Sequence, residues 1–322
     1  MRADGVFSGG GIKGLAFAGG VQAAAEAGYD EWVQLAGTSA GAITAMMLAV
    51  GYDAQGLRKA LESFDFSKIA DYGALGEAEI PINVERLHGA THGKVLSEWI
   101  AKLLADAPRP ATKFGDLDPG KLRVVGTDVS HTRMVVFPDD VGLYVDDQGQ
   151  PLKPADFPIA DAVRISAGYP YFFPPLRLRD AQTRKQGMLV DGGVCSPFPV
   201  FLFDVEKPAH PTWGFRLFAG SAPQKPSYTD ISGLLWPVDM LKAIVDTSTN
   251  ALDKFELKAF GPRTISLPTG DIATLDFALT DAQKKELYDG GYKAAKAFFD
   301  ANPSGVNTFG AIPANVDGGG AA

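Results

Sequence analysis

Gly37-Thr38-Ser39-Ala40-Gly41 decides how this chain is read, because the run Trp32 to Ala36 leads into it and the apolar run Ala42 to Val50 leads out. A strand turning directly into a buried helix is the context in which G-x-S-x-G forms a nucleophile elbow. The glycines two residues either side of the serine have a steric reason: in so tight a turn, side chains there would meet neighbouring backbone. Ser39 is then held clear of the sheet at a helix N-terminus, where unpaired N–H groups and the helix dipole favour developing negative charge. A plain strand-to-helix turn with an N-cap serine would carry the same letters without the chemistry.

Upstream, Val6-Phe7 end a short apolar run, Gly9-Gly10-Gly11-Ile12-Lys13-Gly14 form a loop, and Ile12 to Ala27 carry a small-residue helical pattern that Gly28 can cap. Two strand-helix units within the first 50 residues imply a parallel sheet covered by helices. The glycine loop offers backbone N–H groups without side chains in the way, so it can hold an anion. It also matches the G-x-G-x-x-G of dinucleotide-binding folds, but those need an acidic residue at the end of the second strand. Here Asp30 and Glu31 precede that strand, which ends instead in the serine elbow. An oxyanion hole is the expected role of Gly9, Gly10 and Gly11. Lys13 reads equally well as a guide for an anionic head group and as an exposed helix lysine.

Downstream, Asp53 to Ala107 reads as helical, with breaks between Gly73 and Asn83 and at Gly89 and Gly93. Leu122 to Val129 and Met134 to Phe137 are β-branched runs that predict a hairpin or neighbouring strands, and hence a mixed sheet. Gly168 to Pro175, with three prolines and four aromatics, predicts a stiff loop with an apolar face. Met188 to Val190 predict a strand ending at Asp191-Gly192-Gly193, and Trp213 to Phe218 another. Leu234 to Phe260 has helical spacing, and Thr280 to Asp300 reads as a closing helix. The motif-bearing core spans about 5–200, a helix-rich part about 220–302, and 303–322 reads as a loose tail; 1–302 is expected to be a single domain.

A serine nucleophile needs a base. The chain has four histidines, His88, His92, His131 and His210. A Ser-Asp-His order makes His210 formally available for a triad after Asp191, although Lys207 to Pro211 reads as a surface turn. Asp191 is better placed, at a strand end where active sites of parallel sheets lie. A carboxylate can take the serine proton directly if burial raises its basicity, whereas the bland reading of Asp191-Gly192 is an Asp-Gly turn.

At 46% hydrophobic, 21% charged and net charge −8, the 322 residues suit a globular protein with no general attraction for nucleic acid or anionic membrane. Any membrane contact is expected to be peripheral, local and apolar. Tyr169, Tyr171, Phe172 and Phe173, with Leu234, Leu235 and Trp236, form two clusters that read either as acyl-chain or membrane-facing surface or as plain core. One cysteine, Cys195, leaves no internal disulfide and no Cys-rich zinc site. No metal and no organic cofactor is expected. The first ten residues reach a glycine run before any signal-peptide core forms, and no stretch approaches the roughly 20 apolar residues of a membrane-spanning helix. The expected location is cytoplasmic; the oligomeric state is open.

The glycine loop, the elbow and Asp191-Gly192-Gly193, in that order, resemble the patatin-like phospholipase family. Ala162 to Pro175, ending Phe173-Pro174-Pro175, is similar to the segment that family carries before its aspartate, and Thr127-Asp128-Val129 resembles its central strand ending. The resemblance implies a three-layer α/β/α fold with a mixed, mostly parallel sheet. It also implies a Ser39-Asp191 dyad without catalytic histidine, and an oxyanion hole to which Ala40 adds its N–H. Gly14, Gly37, Gly41, Gly192 and Gly193 support these motifs. The implied activity is serine acyl hydrolysis of lipid carboxylic esters, with acyltransferase or thioesterase chemistry at the same nucleophile as the alternative, and a non-catalytic binding module as a further one. The Cys195-Ser196-Pro197-Phe198-Pro199 stretch departs from the asparagine-rich sequence common in the family.

Overall fold

The computed structural model describes residues 1–74, 76–218, 261–272 and 277–302, with the isolated positions 240, 243 and 247. Apart from those three positions, the expected helix over Leu234 to Phe260 and the tail 303–322 therefore fall outside the described residues, as do Leu234, Leu235 and Trp236. The first strand, β1 (Arg2–Phe7), passes through a 3-10 turn (Gly11–Gly14) into α1 (Leu15–Glu26). Strand β2 (Glu31–Thr38) then runs into α2 (Ala40–Ala49). All ten residues of α2 are buried, as an all-apolar helix requires. The helices α3 (Ala54–Ser63), α4 (Ile80–Leu87) and α5 (Lys94–Ala105) follow, where the sequence predicted an interrupted helical stretch. Next come β3 (Leu122–Asp128), β4 (Arg133–Phe137), β5 (Tyr144–Val145), α6 (Ile159–Ser166), β6 (Leu176–Asp180) and β7 (Gln186–Asp191). Two further strands, β8 (Thr212–Phe218) and β9 (Thr264–Pro268), precede α7 (Asp281–Ala301), whose N-cap Thr280 forms a capping box with Gln283.

Among the described residues nine strands form one sheet in the order β5-β6-β7-β3-β2-β1-β8-β9, with β4 added on β3. Pairings among β3, β2, β1, β8 and β9 are parallel, and those of β3 with β4 and through β7, β6 and β5 are antiparallel. The register of β3 is what assembles the site. Its Val124 and Val125 pair with Phe137 and Val136 of β4 on one edge and with Gly37 and Thr38 of β2 on the other. Gly126 pairs with Val135 of β4 and with Asp191 of β7. β2 and β7 therefore lie end to end along the same edge of β3, with their C-terminal residues meeting at Val125 and Gly126.

Alternation along each strand sorts the two faces. Phe7, Leu35, Val124 and Phe215 join the large core that the helices cover, whereas Val6 and Ala36 meet Phe198, Val200 and Phe203 on the opposite face. α1 and α7 cross in backbone contact: a Cβ on Gly19 would stand 2.1 Å from the Tyr288 carbonyl oxygen, and one on Gly291 2.2 Å from that of Ala16. β7 is the strand expected at Met188 to Val190, whereas β6, β9 and α6 have no counterpart in the sequence reading, each being five to eight residues long and too short for periodicity to separate from loop.

Candidate active site

The elbow is built as its glycines require. Ser39 adopts φ 55 and ψ −123, a strained conformation for a residue with a side chain. A Cβ on Gly37 would lie 2.2 Å from the Gly41 carbonyl oxygen, and one on Gly41 2.2 Å from that of Phe7. There is no backbone room for either. Gly37→Ala and Gly41→Ala are each expected to destabilise the fold by roughly 1–3 kcal/mol through overpacking. Thermal unfolding checks this, and an unchanged midpoint would contradict the packing described.

Asp191 ends β7 at the junction with β2 and is buried, with 5% of its surface exposed. Its carboxylate lies within hydrogen-bonding reach of the Ser39 side chain, and Oδ1 accepts from the Gly193 N–H at 2.7 Å. Burial pushes the Asp191 carboxyl up to about 6, against the smaller, opposing pull of those two contacts. Gly192 lets the strands abut, since a Cβ there would stand 2.2 Å from the Val125 carbonyl oxygen. The Asp191 backbone is fixed as well: its N–H donates to Gly168 O at 3.0 Å and its carbonyl accepts from Thr127 Oγ1 at 2.9 Å.

The glycine loop sits against the serine, a Cβ on Gly9 falling 3.5 Å from that of Ser39. The expected oxyanion donors need one correction. The Gly9 N–H donates to the Pro197 carbonyl at 2.8 Å, so it is committed to the fold and cannot face a substrate. Gly10, Gly11 and Ala40 stand at the starts of the 3-10 turn and of α2, where helix geometry leaves N–H groups without an intrahelical partner. Gly11 and Ala40 line the same cavity as Ser39. Lys13 is half-buried and outside that lining. The stretch after Gly193, which departs from the family's usual sequence, clips the motifs together: Ser196 O accepts from Thr38 Oγ1 at 2.9 Å while Pro197 O holds Gly9.

Sequence reasoning missed Ser166, fully buried at the end of α6, whose Oγ accepts the Ser39 N–H at 2.9 Å. Only the packing of α6 beside the elbow reveals it. Removing that hydroxyl orphans a buried N–H and loosens the strained turn. Ser166→Ala is expected to lower kcat on the order of tenfold with KM nearly unchanged, while Ser166→Thr, which keeps the oxygen, retains most activity. Steady-state kinetics on one soluble ester decides this; a fall through KM alone would contradict a positioning role. Two residues earlier, Arg164 is buried with Nη2 donating to Pro174 O at 3.2 Å and its guanidinium over the Phe173 ring, which fastens the Gly168 to Pro175 loop.

The histidines do not join this constellation. His210 Nε2 lies 2.8 Å from Asp4 Oδ1, at the N-terminal end of β1 and β8, whereas Ser39 lies past the C-terminal end of β2. The His210 triad is thereby overturned, because parallel strands put that turn at the opposite end of the sheet. His131 bonds Asp128 and Thr183, and His88 faces Arg177. No histidine figures among the groups that act on the Asp191 carboxyl.

Beside Ser39 opens a cavity of about 70 Å³ lined by Ile12, Ile43, Leu61, Phe66, Ile69, Leu96, Trp99, Tyr169 and Phe173, with Phe277 also on its wall. Of the aromatic loop, Tyr169 and Phe173 face this cavity, and Tyr171 is exposed. A larger polar groove between α1, α3 and α7 contains Glu26, Arg58, Lys59 and Glu62 and holds none of the site residues. Among the described residues no cluster of three metal-ligating side chains occurs, and no helix is long and apolar enough to cross a membrane.

Comparison with known proteins bears on the family and the fold. The chain is 34% identical over 303 residues to the uncharacterized protein YqhO of Bacillus subtilis (strain 168), covering 92% of this chain and 98% of that one. Among solved structures, VipD from Legionella pneumophila superposes with a TM-score of 0.55 at 19% identity, over 93% of this chain and 67% of VipD. ExoU of the Pseudomonas aeruginosa type III secretion system gives a TM-score of 0.49 at 16% identity, over 94% of this chain and 53% of that one. The three-layer α/β/α fold with a mixed sheet is shared with VipD. The family model for patatin-like phospholipase matches residues 5–204, a span that holds the glycine loop, the elbow, α6 and Asp191, and the chain belongs to the patatin-like phospholipase family.

Proposed function

We propose that the protein hydrolyses carboxylic ester bonds of lipids, with Ser39 as nucleophile and Asp191 as its base. One observation carries the reading: a serine on a strained turn lies within hydrogen-bonding reach of a buried carboxyl whose proton affinity is raised to about 6. A group with that affinity is ionised at neutral pH yet basic enough to accept a proton in the transition state. Ser39 Oγ attacks the ester carbonyl carbon as its proton passes to Asp191. The resulting oxyanion faces the N–H groups of Gly10, Gly11 and Ala40, and each such donor is worth about 2.7–4 kcal/mol in the transition state. Collapse of the intermediate expels the alcohol, which takes the proton back from Asp191 and leaves the acyl group on Ser39. Water then attacks the acyl-enzyme, Asp191 accepts the water's proton, and its return to Ser39 releases the carboxylic acid.

A fluorophosphonate probe, followed by fatty-acid release from a lipid panel, tests the reading. Covalent labelling at Ser39 together with release of free fatty acid is the expected result. Absence of labelling in folded protein rejects it.

A further inference from the structure

The cavity beside Ser39 has a volume and a composition that bear on which ester is accepted. Apart from Ser39, its lining is backbone of the glycine loop and apolar or aromatic side chains, with the Tyr169 phenol the sole polar group among those described. Among the described residues no cation lines it, so they offer no charge to pair with a phosphate or a carboxylate. Its shape suits the hydrocarbon tail of the acyl group. Leu61, Phe66, Ile69, Leu96 and Trp99 are all buried and come from α3, the turn after it and α5, so these elements supply one wall of the cavity.

That wall carries an aromatic cluster in which each ring packs against the other two. The Trp99 and Phe64 rings stack at 4.1 Å, and Phe66 meets them edge-on at 5.7 Å and 5.1 Å. Stacked and edge-on contacts of this kind resist the displacement of any one ring, since moving it forfeits its contacts with the other two. The volume of about 70 Å³ sets the capacity, because a water-sized group needs about 10–15 Å³. About five to seven methylene-sized groups therefore fit.

We infer that the Phe66–Trp99 floor limits the substrate to esters of short acyl chains, about six carbons long, and leaves the head group outside the cavity. The inference rests on the hydrolase reading above and adds the substrate class. Up to the floor, each methylene lodged raises kcat/KM roughly fourfold, the equivalent of one buried CH2. Beyond the floor an added methylene has no place inside.

The experiment uses p-nitrophenyl esters from acetate to dodecanoate with the full chain, Phe66→Ala and Trp99→Leu. Each protein is first titrated with fluorophosphonate, which counts folded sites with a live Ser39. For the parent chain, kcat/KM is expected to climb to about hexanoate and then fall. In each variant the dodecanoate-to-hexanoate ratio of kcat/KM rises at least about tenfold, since replacing the aromatic ring by a smaller side chain admits two or more methylenes. A ratio depends on no active-site count, so loss of stability in one variant does not imitate the result. Two outcomes overturn the inference: a parent chain that cleaves dodecanoate at least as fast as hexanoate, or labelled variants whose ratio stays within twofold of the parent. A parent chain that neither labels nor cleaves any ester rejects the hydrolase reading instead, which keeps the two failures distinct.

Discussion

Ser39→Ala is expected to lower ester turnover by on the order of 10⁴–10⁶-fold, to a residue of activity that substrate binding and the oxyanion donors alone provide. The loss belongs to kcat, because Ser39 contributes little apolar surface to a cavity lined by larger side chains. Stability should move little. The φ of 55 is strained for serine and remains so for alanine, while the substitution removes a hydroxyl that helps hold the buried Asp191 carboxylate. Ser39→Ala is therefore expected to unfold at an equal or slightly lower temperature than the parent. Steady-state kinetics and thermal unfolding on one preparation measure both; a variant that keeps fatty-acid release removes Ser39 from the mechanism.

Asp191→Asn carries the second large effect, a loss of about 10⁴-fold, since the amide cannot accept the serine proton. The pH dependence is specific to this residue. Base catalysis needs the carboxylate, so kcat/KM of the parent should fall about tenfold per unit below about pH 6. Stability has its own sign. The carboxyl is raised to about 6 in the fold, whereas in the unfolded chain it ionises near 3.9. Between about pH 4 and pH 6 the folded state binds more protons, so its stability drops as pH rises through that window. Above it the cost is constant at about 3 kcal/mol, from 1.36 kcal/mol per unit. Asp191→Asn escapes that cost: it should unfold a few degrees above the parent at pH 8 and level with it at pH 4. Equal midpoints at pH 8 would mean that the carboxyl is not raised, and a pH-independent kcat/KM between pH 4 and pH 8 would remove it as the base.

The parts of this site legible in the sequence are those governed by contacts within a few residues. Gly37, Gly41 and the apolar run after them specify the elbow because the clash that excludes a Cβ arises inside the turn, or against the β1 end that the turn itself brings near. The helix break after Gly73, the hairpin of β3 and β4 and the closing helix from Thr280 were readable for the same reason, although Asn83, read as part of that break, lies inside α4. Gly9 was not, since its N–H could be assigned only once Pro197 was known to lie beside it. Ser166 lay within the Ala162 to Pro175 run, but nothing near it in sequence gave its hydroxyl a partner.

Ser39 followed from its own neighbourhood, as a serine on a strand-to-helix turn between two glycines that nothing larger can replace. The placement of Asp191 against it was decided by tertiary structure. Two strands far apart in sequence abut on one edge of β3, and hydrogen-bond register alone sets where their ends meet. The same assembly sends His210 to the far end of the sheet and buries Asp191 deeply enough to raise its proton affinity. Burial and long-range register are sums over the whole fold, which no local run of residues encodes.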